Sequence, residues 1–389
     1  MRREILASGA ALFLLAQSAH AADKVKLGFE AGMSGVFGIV GGEMRRGLDL
    51  ALEELGNKLG GVPVELSAVD DKTDPSEAVR VSAKLIEQDK IDVITGLMSS
   101  NTVLAVERAY IDADVIVVGA LAGPKEFAGK DCSASAFHTS FENEDWDVAL
   151  GTYMSNLKIN SAYFMAADYQ AGWEKTDGTM RNYKGKATGP VYTPLSQLDF
   201  SAEIAQIRAA NPEALYVFYP GGLGIAFLKQ FAQAGLQGKI PIYSEDTMAS
   251  ELSFAAEGDS AVGVIQSTSW SAELDNPQNK KFVEDFTKKF GRRPAIFAAL
   301  QYDAIKLIDS AVGAVKGKVE DKVAFRAAIR QADFHSIRGP FKFANNQFPI
   351  QNIYILEVVK EGDGKLRLAL KSTAVEGQMP AYHDQCPLK

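Results

Sequence analysis

Four consecutive residues, Ser99-Ser100-Asn101-Thr102, gather hydroxyl and amide side chains where a short β-rich run, Val93 to Thr95, turns at Gly96 and opens into an amphipathic stretch, Val103 to Tyr110. The first turn of a helix leaves backbone N–H groups without acceptors and carries the positive end of the helix dipole. Hydroxyls and amides around that point can hold a small carboxylate with no Lys or Arg. The same residue types also serve a helix that is merely N-capped. The stretch alone leaves both an anion site and an ordinary cap open.

Other side chains could bound the rest of a ligand. Phe37, Tyr169, Tyr219 and Trp270 each follow a predicted strand or lie at a predicted crossing of the chain, where an aromatic can stack on a ring or simply fill a wall. Trp146 and Trp173 fall at helix starts, where packing is the plainer role. Signs of catalysis are weak. Gly222-Leu223-Gly224-Ile225-Ala226-Phe227 follows a strand, with Glu245 about 20 residues on, but Phe227 stands where a dinucleotide fingerprint needs its third glycine. No Gly-x-Ser-x-Gly elbow or P-loop occurs, and His138, His335 and His383 lack ligand spacing. No catalytic residue, cofactor or metal is expected.

These residues sit in a chain of 389 residues, enough for two or three domains. The formal charge of −8 argues against nucleic acid, which needs a basic surface. The start, Met1-Arg2-Arg3-Glu4, an apolar run from Ile5 to Ala16 and the ending Ala19-His20-Ala21-Ala22 form a secretory signal peptide over 1–22. Its loss removes Arg2, Arg3 and Glu4, a net +1, so −8 becomes −9. No later segment approaches ~18 uninterrupted apolar residues, so an exported, soluble monomer is expected. In an oxidising compartment the two cysteines, Cys132 and Cys386, are expected as a disulfide.

Strand and helix alternate along the chain. Val25 to Glu30 reads as a strand, then Met44, Gly47, Leu48, Ala51, Leu52 and Leu55 share one helix face. Val62 to Val69 reads as a strand, Thr73-Asp74-Pro75 caps a helix, and Val115 to Val118 leads into the loop Gly119-Ala120-Leu121-Ala122-Gly123-Pro124. The pattern restarts after His138, with strands predicted at Ala162 to Ala166, Gly189 to Tyr192, Ala214 to Tyr219, Ile240 to Tyr243 and Gly263 to Ser267. Helices follow over Asn276 to Phe290, Ala295 to Val315 and Asp321 to Gln331, then strands at Ile353 to Val359 and Leu366 to Lys371. Such alternation predicts an α/β fold with parallel sheets covered on both faces. To place the late helices, the chain is expected to cross back to a first lobe near Trp270 and return to a second near Asn345. That gives an N-terminal lobe of 23–139 plus 270–345 and a C-terminal lobe of 140–269 plus 346–389.

Leu27-Gly28 leading to Met33-Ser34-Gly35, Asp70-Asp71 before Asp74-Pro75, the Gly96 to Thr102 turn and Ala122-Gly123-Pro124 together resemble the Leu/Ile/Val-type periplasmic substrate-binding proteins of ABC transporters. The resemblance covers the whole mature chain. It implies two Rossmann-like lobes joined by a three-strand hinge, a ligand trapped between them, periplasmic location and delivery to membrane permease subunits. The serine-rich turn of the first lobe would take the ligand carboxylate, here through Ser99 and Ser100 with Asn101, Thr102 and Ala120 around them. Amino-acid binders of the family often place an aromatic, a Thr and a Tyr at positions matching Val40, Ala122 and Ala171, so three polar contacts to an amino-acid head are missing. Asp168-Tyr169-Gln170-Ala171-Gly172, Phe218-Tyr219-Pro220-Gly221-Gly222 and the late cysteine are similar to members that bind aromatic carboxylates such as benzoate and hydroxycinnamates. Glu245 and Asp246 end a strand where amino-acid binders face the ligand ammonium with an acid, which keeps an amino-acid or amide ligand open. A periplasmic sensor subunit is a further alternative.

Overall fold

The structure, a computed structural model, describes residues 23–389. The signal peptide expected over 1–22 lies outside the described residues. The first sheet is built from β1 (Val25–Ala31), β2 (Lys58–Leu59), β3 (Val62–Asp70), β4 (Val93–Gly96), β5 (Ile116–Gly119) and β6 (Ala136–His138), in the order β2-β3-β1-β4-β5-β6. All its pairings are parallel except β2 with β3. The second sheet holds β7 (Ser161–Ala167), β8 (Lys186–Thr193), β9 (Ala214–Phe218), β10 (Ile242–Glu245), β11 (Ile265–Thr268), β12 (Lys342–Phe343), β13 (Pro349–Lys360) and β14 (Leu366–Gln378). Its order is β12-β13-β11-β10-β9-β7-β8, with β14 pairing β13. The central strands are buried on both faces, which is why they read as continuous apolar runs rather than alternating ones.

Helices cover both sheets: α1 (Gly38–Glu54), α2 (Pro75–Lys84), α3 (Ser100–Asp112) and α4 (Lys125–Ala128) with the first, and α5 (Asp145–Asn156), α6 (Gln170–Asn182), α7 (Ser201–Ala210), α8 (Gly222–Gln233) and α9 (Phe254–Glu257) with the second. The late helices α10 (Pro277–Phe290), α11 (Ile296–Ala314) and α12 (Lys322–Gln331) follow. Their starts are set by local chemistry, since Asp74, Asn276 and Asp321 each accept a hydrogen bond from the amide three residues on. The late helices lie against the first sheet. Gln301 Nε2 donates to Thr95 Oγ1 at 3.0 Å, and Tyr302 Oη donates to Glu54 Oε2 at 2.6 Å. Gly47 lets α1 and α11 touch: a Cβ there would stand 2.2 Å from the Ala298 carbonyl oxygen.

The chain therefore passes between the two sheets three times, after β6, after β11 and before β12. Arg338 ties the passages together. Its guanidinium donates to Asp303 Oδ2 on α11 (3.0 Å), to the Thr139 carbonyl on the first passage (2.5 Å) and to Gln351 Oε1 on β13 (3.0 Å). Gln351 Nε2 in turn donates to the Ser140 carbonyl at 3.0 Å. The disulfide Cys132–Cys386 spans 254 positions with its Cα atoms 5.7 Å apart, fastening the C-terminal tail to the loop before β6.

Several carboxyls are buried. Burial pushes Glu30 up to about 8, against the hydrogen bond it accepts from Tyr110, and pushes Glu257 up to about 8. Glu174 is pushed up to about 7 by burial, against the hydrogen bonds from Asn143 and Gln170. A carboxyl whose folded pKa lies above its unfolded value near 4.3 keeps its proton longer in the folded state. Its stabilising contribution is full below the unfolded value and is lost as pH rises through 7 to 8, at about 1.4 kcal/mol per pH unit for each proton retained. Glu77, half-buried and held down to about 2 by Arg80, acts in the opposite sense only below pH 4.5. The melting temperature is thus expected to fall by several degrees between pH 5.5 and 8.5 in scanning calorimetry. A melting temperature that rises over that interval would contradict these assignments.

Candidate ligand-binding site

The turn from β4 into α3 is forced by two residues with positive φ. Gly96 sits at φ 94°, and a Cβ there would meet the Glu30 carbonyl oxygen at 2.3 Å; Leu97 follows at φ 57°, a conformation that costs a branched residue energy. This bend delivers Ser99 in extended conformation at the N-cap of α3, yet its side chain makes no capping bond. Ser99 Oγ is buried and has no hydrogen-bond partner. Ser100 Oγ accepts from Asn143 Nδ2 at 2.9 Å. Asn143 spends its other amide proton on Glu174 Oε2 (2.6 Å), and its Oδ1 accepts from the Gly123 amide (3.1 Å). With Asn143 so oriented, the Ser100 hydroxyl proton remains available to a ligand. The first-turn amides of α3 have no intrahelical acceptors.

Both serines face a cavity between the sheets that encloses about 440 Å³ of space, its open mouth included. Phe37, Val40, Leu121 and Ala122 wall it from the first lobe, and Tyr169, Ala171, Phe218 and Pro220 from the second. The rings form a run across the cleft: Phe37 lies 6.1 Å from Tyr169, which lies 6.0 Å from Phe218 with planes 21° apart. Lys175 and Glu245 also reach the cavity. The Lys175 ammonium is 3% exposed, is hydrogen-bonded to Glu245 Oε2, donates to the Asn143 carbonyl at 3.0 Å and stands 3.7 Å from Asp147 Oδ2. Burial pulls its pKa down, but the Glu245 and Asp147 carboxyls outweigh that and hold it above the usual lysine range. Burial also pushes Asp147 well up, against the pull of Lys175.

The residues expected at the site divide. Phe37, Ser99, Ser100, Ala122, Tyr169 and Glu245 line the cavity. Asn101 stands beside it: its Oδ1 accepts from the Gln170 amide at 3.4 Å, one of the contacts between the lobes. Thr102 turns back on its own helix, donating to the Ser99 carbonyl at 3.0 Å. Ala120 is fully buried in the core, its amide bonded to the Gly96 carbonyl at 3.0 Å. Tyr219 corrects an expectation. Successive strand residues point to opposite faces, so Phe218 at the end of β9 takes the cavity and Tyr219 is thrown into a cluster with Phe200 (4.9 Å) and Phe227 (5.5 Å). There its hydroxyl accepts from Thr193 Oγ1 at 2.8 Å. Tyr219→Phe is expected to cost about 1 kcal/mol of stability and to leave ligand affinity within twofold by calorimetry; a tenfold loss would put Tyr219 back in the site. Trp270 is likewise core, donating to Asn279 Oδ1 at 2.7 Å.

Asn143 and Lys175 carry no motif in the sequence, and Phe218 enters it only as part of the Phe218 to Gly222 stretch, with Tyr219 as the ring expected at the site. Lys175 follows Ala171 by four residues and so shares its helix face, a usable signal. Phe218 was readable from strand alternation. Asn143 acts through contacts 31 and 43 positions away, which no local pattern signals.

A family pattern described as periplasmic binding protein matches residues 24–364. Among curated proteins, a Leu/Ile/Val-binding protein homolog 6 of Brucella melitensis is 26% identical over 374 residues, covering 93% of this chain and 94% of that one. Among solved structures, an ABC-transporter solute-binding protein from R. palustris in complex with benzoate superposes with a TM-score of 0.89 at 28% identity, over 94% of this chain and 100% of that one. A second, from Rhodopseudomonas palustris BisB5 in complex with 3,4-dihydroxybenzoic acid, gives 0.84 at 26% identity over 92% and 99%. Two parallel-sheet lobes, a cleft between them and a family pattern running through both place the chain in the periplasmic binding protein family, as a solute-binding protein of an ABC transporter.

Proposed function

We propose that this protein captures a small carboxylate, an aromatic acid such as benzoate or a hydroxycinnamate, by closing its lobes and presents the closed form to the permease subunits of an importer. The observation that carries the ligand class is the pairing of Ser99 and Ser100, two hydroxyls free to donate at an uncapped helix N-terminus, with a cavity otherwise walled by Phe37, Val40, Ala122, Tyr169, Ala171 and Phe218. Donors aimed at one end suit an anion, and flat apolar walls suit a ring. Val40, Ala122 and Ala171, the positions where polar contacts to an amino-acid head are missing, all line the cavity. The two R. palustris proteins carry benzoate and 3,4-dihydroxybenzoic acid, which supports the choice.

Closure is a population shift driven by contacts to both lobes at once, with 23–139 plus 270–345 moving against 140–269 plus 346–389 about the three passages. Export to the periplasm by the 1–22 signal peptide completes the reading. A second reading, capture of a branched-chain amino acid, is favoured by the name of the Brucella relative and by Glu245 reaching the cavity. A thermal-shift panel of aromatic acids, dicarboxylates and amino acids separates them, because a ligand that binds only the native state raises the melting temperature. Shifts with benzoate or coumarate and none with leucine or valine are expected. Leucine or valine acting while the aromatic acids do nothing would overturn the first reading in favour of the second.

A further inference from the structure

We propose that Lys175 is the specificity determinant of the cleft: its ammonium fills, from within the chain, the place that a ligand ammonium would take, so the cleft admits carboxylates and rejects zwitterions. The surroundings of Nζ are those of an ammonium receptor. An ammonium offers three protons; here the Glu245 carboxylate and the Asn143 carbonyl at 3.0 Å are hydrogen-bonded, and Asp147 Oδ2 stands 3.7 Å away. Three aromatic faces close the cage, Phe141 at 4.6 Å, Phe218 at 5.4 Å and Trp146 at 5.8 Å, the arrangement that attracts a cation through ring quadrupoles.

The acid that lines the cavity is already paired within the chain. Glu245 Oε2 is bound by Lys175, and Oε1 accepts from Thr247 Oγ1 at 2.6 Å. The cage walls come from the first passage (Phe141, Asn143), α5 (Trp146, Asp147), β9 (Phe218) and β10 (Glu245), while α6 supplies the lysine. A second ammonium entering the cavity would face Lys175 while Glu245, the carboxylate that lines the cavity, is already neutralised by it, and rejection of one ligand by an unmatched charge is how such sites discriminate.

The inference rests on the cleft being the carboxylate site proposed above, and its test keeps the two apart. Lys175→Ala removes the equivalent of one propylammonium. The variant is expected to melt several degrees below wild type and to regain at least half of that loss in millimolar propylammonium chloride, with no response to equal sodium chloride or to bulky tetramethylammonium. The double variant Lys175→Met with Glu245→Gln, which removes both charges, is expected to show no propylammonium response. For ligands, wild type should prefer 4-methylpentanoate to leucine, and 3-phenylpropanoate to phenylalanine, by at least 30-fold, and Lys175→Ala should narrow either gap at least tenfold. Wild-type protein binding leucine as tightly as 4-methylpentanoate overturns the proposal, as does a Lys175→Ala protein that is indifferent to propylammonium. If Lys175→Ala does not fold, the wild-type pairs decide alone. Propylammonium rescue uses no carboxylate, so it stands even if no acid binds and the carboxylate reading fails.

Discussion

Replacing Ser99 and Ser100 together with Ala is expected to raise the dissociation constant for an aromatic carboxylate about 100-fold, while moving the melting temperature by no more than ~2 °C. A hydrogen bond to an ionised group contributes about 1.5 kcal/mol or more, so two lost donors remove about 3 kcal/mol, or two decades of affinity. The fold has little at stake in either hydroxyl. Ser99 Oγ has no partner in the protein, and Ser100 Oγ only accepts from Asn143, whose side chain keeps its bonds to Glu174 and Gly123. The first-turn amides of α3 remain in the double variant and should preserve weak binding. Isothermal titration of the double variant beside both single ones measures the effect. Unchanged affinity would take this turn out of the site.

The second large effect concerns the tail. Replacing Cys132 and Cys386 with Ser is expected to destabilise the protein by about 5 kcal/mol, because the bridge closes a loop of 254 positions and long loops lose most when opened. At roughly 2 cal/mol/K of unfolding entropy per residue over a chain of this size, that is about 6 °C of melting temperature. Other ties to the tail are single hydrogen bonds of about 1 kcal/mol each: the Ala381 amide donates to Asp145 Oδ1 at 3.0 Å, Tyr382 Oη to Glu144 Oε1 at 2.6 Å and Asn345 Nδ2 to the His383 carbonyl at 2.8 Å. Reductant should reproduce the loss in wild type and leave the double variant unaffected. A double variant that melts with wild type would show that these hydrogen bonds already hold the tail.

Much of the fold was legible because local chemistry and burial agree. Asp74-Pro75, Asn276-Pro277 and Asp321 each announce a helix start, and the caps form as the residue types require. Strands such as β9 read as apolar runs because both faces are covered. β6 escaped notice because three residues show no period, and β14 runs on to Gln378 past the predicted Lys371 because its far half is largely exposed and polar. At the site, the serine turn and Glu245 were visible as residue types at the ends of strands. What they meet was not. Lys175 and Glu245 are 70 positions apart, and Asn143 reaches Ser100 across 43. Sequence spacing carries no trace of such pairs, since only the packing of α6 over β10 and of the first passage beside α3 brings them together. Tyr219 shows the converse failure: the right residue type at a strand end, one position past the cavity.

The most direct measurement is a calorimetric titration of the wild-type protein at pH 7 with benzoate and with benzamide, which share ring and size but differ in charge. If Ser99, Ser100 and the first turn of α3 hold a carboxylate against apolar walls, benzoate binds with a ~micromolar dissociation constant and benzamide at least 30-fold more weakly. Equal binding of the two, or no binding of benzoate beside tight binding of leucine, would contradict the account.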